Sequence, residues 1–259
     1  MKSLGLAVVV AVALTLCGCD GKKGEKSEYD TGLKKLTTKD TVVGTGREAT
    51  KDDAVFVLYK GTFIKDGKQF DSNMDDPESS MPFMVQFKYG GVIQGWLDGI
   101  PGMKEGGTRI IDIPYKDAYG DTGRDKIPPK ADLRFEIKLL YVLKDSEKNV
   151  IDSVDTKVGS GPVAKEGDTV TIHYKGTYLS GKQWDNSRER GDPVTFPLKI
   201  TEEGMPGLIY GIQGMKAGGV RTLVLPPSMA FGMSGSESVK GNQPIKIVVE
   251  LLKVNGAGA

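Results

Sequence analysis

The body of this 259-residue chain is written twice, and that repeat constrains its fold more than any other feature. Val43-Gly44-Thr45-Gly46 returns as Val158-Gly159-Ser160-Gly161, and Tyr59-Lys60-Gly61-Thr62 as Tyr174-Lys175-Gly176-Thr177. Gly67-Lys68-Gln69-Phe70-Asp71 returns as Gly181-Lys182-Gln183-Trp184-Asp185. Gly102-Met103-Lys104 returns as Gly214-Met215-Lys216, and Ala118-Tyr119-Gly120 as Ala230-Phe231-Gly232. The offset stays between 112 and 115 residues, so only loop lengths differ between the copies. That period is too long for a solenoid repeat and is the length of an ordinary domain. The chain therefore reads as two tandem domains, residues 31–144 and 150–254. A charged linker, 145–149, joins them, and residues 255–259 form a tail.

Each copy reads mainly as strands. Leu133, Phe135, Ile137 and Leu139 alternate with Arg134, Glu136 and Lys138, the pattern of a half-buried strand. Residues 108–113 and 220–225 are strands stopped by Pro114 and Pro226, and Asp66-Gly67 and Ser180-Gly181 mark hairpin turns. Only residues 96–101 and 208–213 carry a helical pattern. The expected class is α+β, each domain a twisted antiparallel sheet wrapped around one short α-helix. The 35 glycines and 13 prolines fit that turn-rich plan.

Composition removes whole classes of chemistry. Net charge is +1, with acids and bases interspersed, so no basic stripe points to nucleic acid. The two cysteines, Cys17 and Cys19, both lie near the N-terminus, leaving no zinc spacing in the body. The single histidine, His173, is expected on the polar face of a strand. With no body cysteine there is no Cys-His nucleophile, and the single histidine, expected to be solvated on a strand, is a poor base for a Ser-His-Asp set.

Residues 1–19 read as an export signal. Lys2 is followed by an apolar run from Leu4 to Leu16, short for a membrane span. Leu16-Cys17-Gly18-Cys19 resembles the bacterial lipobox, which implies a lipidated Cys19 anchoring the chain to an envelope membrane, facing the periplasm. An ordinary secretory signal with two cysteines is the alternative. Residues 20–30 read as a flexible tether.

The motifs, in order, are Tyr59-Lys60-Gly61, then Gly67-Lys68-Gln69-Phe70-Asp71-Ser72, then Val92-Ile93-Gln94-Gly95-Trp96. Ala118-Tyr119-Gly120, Ile127-Pro128-Pro129 and a closing alternating strand follow. In this order and spacing they resemble an FKBP-type peptidyl-prolyl cis–trans isomerase, over nearly all of residues 31–254 and in two copies. The resemblance implies an aromatic pocket in the first domain, with Trp96 as floor and Tyr59, Phe70, Phe83, Val92, Ile93, Tyr119, Ile127 and Phe135 as walls. It implies that Asp71 is a buried carboxylate bonded to Tyr59. It also implies that the Ile93 amide and Tyr119 hydroxyl donate to substrate carbonyls. Residues 72–82 lack the basic residue the family often pairs with that carboxylate. The second copy keeps Tyr174, Trp184, Asp185 and an arginine, Arg190. Leu208 stands at the Trp96 position, Phe231 at Tyr119, Ile247 at Phe135 and Val194 at Phe83, so a weaker cavity is expected there.

The implied reaction is rotation about X-Pro bonds of unfolded or partly folded exported proteins. Its barrier is ~18–20 kcal/mol because amide resonance must be broken. No bond is cut, so the expectation is no cofactor and no metal. The resemblance extends to macrolide inhibitor binding in the first domain. The competing reading is a non-catalytic chaperone holding unfolded chains.

Overall fold

The computed structural model describes residues 26–76, 80–201 and 204–256. The expectations for Cys19 and the export signal lie outside the described residues. In the first half the elements run β1 (Thr37–Val42), β2 (Ala54–Phe63), β3 (Gln69–Ser72) and β4 (Phe83–Gln86). These are followed by α1 (Gln94–Gly99), β5 (Thr108–Ile113) and β6 (Leu133–Leu143). The second half repeats them as β7 (Asp152–Lys157), β8 (Thr169–Tyr178), β9 (Gln183–Asn186), β10 (Val194–Pro197), α2 (Pro206–Ile212), β11 (Val220–Leu225) and β12 (Ile245–Asn255).

Each half forms its own antiparallel six-stranded sheet. The first runs β1-β5-β6-β2-β3, with β4 pairing the start of β2. The second runs β10-β8-β12-β11-β7, with β9 pairing β8. Both carry a bulge at the same place. The β2–β6 register slips between Phe56 and Val57, and the β8–β12 register between Leu251 and Lys253. An extra residue on one strand bends it and increases local twist, which curls each sheet over its helix. At one edge of each sheet, β1 and β7 are exposed along their whole length.

Small residues bring helix and sheet together. A Cβ added at Gly95 or Gly99 would lie 2.4 or 2.8 Å from the side chains of Ile113 or Ile111. Gly207 and Gly211 meet Leu225 and Leu223 in the same way in the second half. An arginine then pins each helix end. Arg109 forks onto Asp40 at 2.6 and 3.0 Å, and its remaining nitrogen donates to the Gly99 and Pro101 carbonyls. Arg221 does the same with Asp155, Gly211 and Gln213. These carbonyls are otherwise unpaired at a helix C-terminus.

The packed region begins before residue 31. Tyr29 sits edge-on to Phe63 at 5.0 Å, and the Tyr29 carbonyl accepts from the Asp132 amide. The tether expected over 20–30 is thus shortened at its C-terminal end, because Tyr29 finds an apolar partner. Asn255, expected in the tail, ends β12.

Arg47 joins the halves. It donates to Glu105 at 2.9 Å in its own domain, to Glu147 at 3.4 Å in the linker, and to Asp152 at 2.9 Å on β7. Its guanidinium lies 4.4 Å from the centre of the Tyr141 ring. Burial pulls its pKa down, but the Glu105 carboxylate and its other partners outweigh that and raise it.

Candidate functional site

A cavity of about 140 Å³ opens between α1 and the concave face of the first sheet. It is lined by Tyr59, Phe70, Asp71, Phe83, Gly91, Val92, Ile93, Trp96, Tyr119 and Phe135. Trp96 enters as the third residue of α1 and is 5% exposed. The helix starts at Gln94, two residues before the expected start, because Ile93 provides an extended N-cap and the Trp96 amide bonds its carbonyl at 3.0 Å.

The rings around Trp96 meet it on edge. Tyr59 is 5.1 Å away at 71°, Phe135 5.2 Å at 90° and Phe83 5.9 Å at 88°. Phe70 stands 5.6 Å from Phe135 at 84°. Edge-to-face contacts of this kind add about 0.5–1.5 kcal/mol each beyond burial and fix ring orientation. The glycine of Tyr59-Lys60-Gly61 leaves room for them, since a Cβ there would lie 2.6 Å from Phe70 and 2.9 Å from Phe135.

The polar groups are few. Tyr59 donates its hydroxyl to Asp71 at 2.7 Å. Burial first, and then this bond, hold the Tyr59 phenol well above its ordinary pKa. Asp71 was expected to be buried. It is exposed, on a short edge strand with no second strand outside it. Tyr119 follows a 3₁₀ turn (Tyr115–Asp117) closed by the Gly120 amide on the Tyr115 carbonyl. Burial raises its phenol as well. Among the described residues neither the Tyr119 hydroxyl nor the Ile93 amide has a protein acceptor. Both are donors at the cavity wall.

Ile127, expected as a wall, does not line the cavity. Paired backbone bonds between Arg124 and Ile127 turn its side chain into the core, where it is 8% exposed. Two residues of this region were not among the expected wall residues. Gly91 lines the mouth with φ of 86°, and the double glycine Gly90-Gly91 was its only signal. Asn73 accepts from the Tyr59 amide at 2.6 Å and donates to the Met81 carbonyl at 2.8 Å, so it braces the loop where a basic residue was missed.

The second cavity has Leu208 and Phe231 where the first has an indole and a phenolic hydroxyl, as its sequence requires, yet it is the larger of the two. It measures about 400 Å³ and brings together Tyr174, Trp184, Val194, Phe196, Met205, Leu208, Phe231 and Ile247. Leu208, Val194 and Ile247 fill less space there than Trp96, Phe83 and Phe135 do in the first cavity, and the second extends to Lys199, Thr201 and Gly204. Asp185 and Arg190 are not among its lining residues. They pair with each other, and Tyr174 donates to the same carboxylate. His173, expected to be solvated, is half-buried, with Nδ1 3.0 Å from Oγ of the fully buried Ser187.

The upward shifts of both phenols predict the pH response. Neither tyrosine ionises between pH 6 and 8, so activity in this cavity should have a flat kcat/KM over that range. A bell-shaped profile centred near pH 7 on an uncharged X-Pro peptide would point to proton transfer instead. Folded phenols with raised pKa values keep their protons when unfolded ones, near ~10, release them. Their contribution to stability is therefore complete below pH ~10 and is lost as pH rises above it.

The family description "FKBP-type peptidyl-prolyl cis-trans isomerase" matches residues 45–140 and 161–252. "Peptidyl-prolyl cis-trans isomerase FKBP10" of Bos taurus is 34% identical over 227 residues, covering 84% of this chain and 37% of its own length. "FKBP-type peptidyl-prolyl cis-trans isomerase FkpA" of Escherichia coli K12 is 37% identical over 115 residues, covering 44% of this chain and 41% of that protein. A crystal structure of Escherichia coli FkpA covers 41% of this chain and 49% of that chain, at 37% identity and a TM-score of 0.38. The chain thus spans about two fifths of the length of these curated relatives. With matched segments in both halves, the chain belongs to the FKBP-type peptidyl-prolyl cis–trans isomerase family.

Proposed function

We propose that the first domain catalyses cis–trans isomerisation of X-Pro bonds in unfolded or partly folded exported proteins. The observation that carries this reading is the Trp96 cavity, a small aromatic box with two donors at its wall that have no acceptor among the described residues. A planar amide is stabilised by resonance that withdraws nitrogen's lone pair. Twisting the bond removes that resonance and lowers the polarity of the amide. A dry aromatic box suits the twisted form better than water does. The Ile93 amide and the Tyr119 hydroxyl hold the flanking carbonyls in the twisted arrangement. This is complementarity to the transition state rather than to the substrate. It needs no nucleophile and no proton transfer. Macrolides that mimic the twisted imide are ligands of the same box.

Tyr119→Phe tests the reading on the full chain. It removes one free hydroxyl and no protein hydrogen bond, so the melting temperature should stay within about 2 °C, consistent with a stability change below ~0.5 kcal/mol. Exchange of an Ala-Pro peptide, measured by two-dimensional exchange NMR, should slow by roughly threefold to tenfold, the worth of one hydrogen bond. An unchanged exchange rate would remove the donor role. A large drop in melting temperature would make Tyr119 structural.

The width of the second cavity favours an additional, non-catalytic role there, holding apolar stretches of unfolded chains. The loss of the indole floor and the phenolic donor, at Leu208 and Phe231, supports capture over catalysis. For location, the sequence Leu16-Cys17-Gly18-Cys19 supports a lipid anchor in a bacterial envelope membrane. Cys19→Ser should then abolish metabolic labelling by palmitate and release the protein from membrane fractions. Labelling equal to the parent would exclude Cys19 as the acylated residue.

A further inference from the structure

The wall residue Phe83 sits on β4, a short edge strand of the first sheet. β4 is four residues long and pairs only with the start of β2. Phe83 is 41% exposed, yet its ring meets both Tyr59 (6.0 Å) and Trp96 (5.9 Å). A short edge strand with one partner is where a sheet opens first.

The second domain grips the chain on both sides of this residue. Ser180, in the β8–β9 turn, donates its hydroxyl to the Ser80 carbonyl at 2.6 Å. Met81 packs against the hydrophobic core of the second domain. Gln243, just before β12, is 8% exposed and reaches the Pro82 carbonyl at 3.4 Å. Asn242 lies 3.2 Å from the Met84 sulfur. Ser80 and Pro82 are buried as a result, although they belong to a loop of the other domain.

We propose that the second domain is a positioning element for the first cavity: Ser180 and Gln243 hold the Ser80–Pro82 segment and thereby fix Phe83 against Trp96. This rests on the reading of the Trp96 cavity as the isomerase site. Phe83 is exposed at the rim of the cavity beside Trp96, so its placement sets how a residue flanking proline binds more than the rotation itself.

The test uses the full chain carrying 4-fluorophenylalanine at position 83. In Ser180→Ala, Gln243→Ala and the double variant, the fluorine resonance should shift or broaden. KM for X-Pro peptides with a bulky X should rise by about twofold to tenfold, the scale of one or two hydrogen bonds, with kcat nearly unchanged. Ser180→Thr, which keeps the hydroxyl, should restore both readouts. Ser180 lies in a half-buried turn, so Ser180→Ala alone still reports on the hold on Ser80 if Gln243→Ala, at a buried side chain, lowers stability. A fluorine spectrum and KM identical to the parent in Ser180→Ala and the double variant would overturn the positioning role. So would a Ser180→Thr chain that behaves like Ser180→Ala. The two readings separate cleanly. A parent that shows no exchange activity, with the fluorine response intact, removes the isomerase reading and keeps the grip. An active parent with an unresponsive fluorine removes the grip alone.

Discussion

Trp96→Leu should lower kcat/KM of the full chain for X-Pro peptides on the order of tenfold or more, since each 1.36 kcal/mol of lost transition-state stabilisation is a factor of ten. The substitution gives the first cavity the floor that the second already has in Leu208. Three edge contacts, to Tyr59, Phe83 and Phe135, disappear with the indole. The stability cost should be about 2–3 kcal/mol, below the ~3–5 kcal/mol of a tryptophan-to-alanine change, because leucine refills part of the space. Leucine is the better probe for that reason: the domain stays folded while the platform for the proline ring is gone. Calorimetry separates the two effects. Exchange activity above half that of the parent, in a protein with the lowered melting temperature, would place catalysis elsewhere than on Trp96. Suppression of aggregation of an unfolded client should persist in the same variant, because the wider second cavity is untouched.

Asp132→Ala should destabilise the first domain strongly, by roughly 3–5 kcal/mol. The Asp132 carboxylate is fully buried and accepts four hydrogen bonds. One oxygen takes the Thr31 amide at 3.0 Å, the Thr31 hydroxyl at 2.8 Å and the Leu33 amide at 3.3 Å. The other takes the Tyr115 amide at 2.8 Å. Alanine leaves three backbone donors without an acceptor, each costing about 1–3 kcal/mol where water cannot reach it. The segment that carries Tyr29 onto Phe63 loses its tie, and so does the 3₁₀ turn that leads to Tyr119. A fall of ten degrees or more in the first thermal transition is expected, at about 4–8 °C per kcal/mol for a domain of this size. The second domain has Pro244 at the matching position, so its transition should not move. A first transition within about 2 °C of the parent would mean that water or a rearranged chain replaces the carboxylate.

The strands and their duplication were legible because period-two alternation and repeated turn residues are local signals. β5 and β11 occupy the residues read from the sequence, 108–113 and 220–225. The helix start was misplaced because Ile93 caps through its backbone shape, with no side-chain cap to read. Asp132 and Arg109 passed unnoticed for a different reason. Their partners lie 101 and 69 residues away, at Thr31 and Asp40, and nothing in a charged residue's neighbourhood announces a distant acceptor. Ile127 was placed on the cavity by resemblance, whereas a backbone-bonded loop turns it inward. The width of the second cavity was not legible in the sequence, because Leu208 at the Trp96 position says which contact is lost but not how much space the surrounding chain leaves. The hold of the second domain on β4 left no trace in the repeat, since a contact made between the copies has no counterpart within either.

The two fully exposed edge strands bear on how a sheet protein avoids pairing with other extended chains. β1 reads Thr-Thr-Lys-Asp-Thr-Val and β7 Asp-Ser-Val-Asp-Thr-Lys. Each presents a row of unpaired amides and carbonyls, the usual template on which an extended chain adds as a further strand. Lysines and aspartates along both rows oppose that addition, since a docking apolar strand would strip water from them. Self-assembly into fibrous or cross-paired aggregates is thereby discouraged at the surfaces where a sheet protein is most prone to it. On the proposed reading, an extended chain meeting this molecule would find the cavities rather than an edge that would hold its backbone.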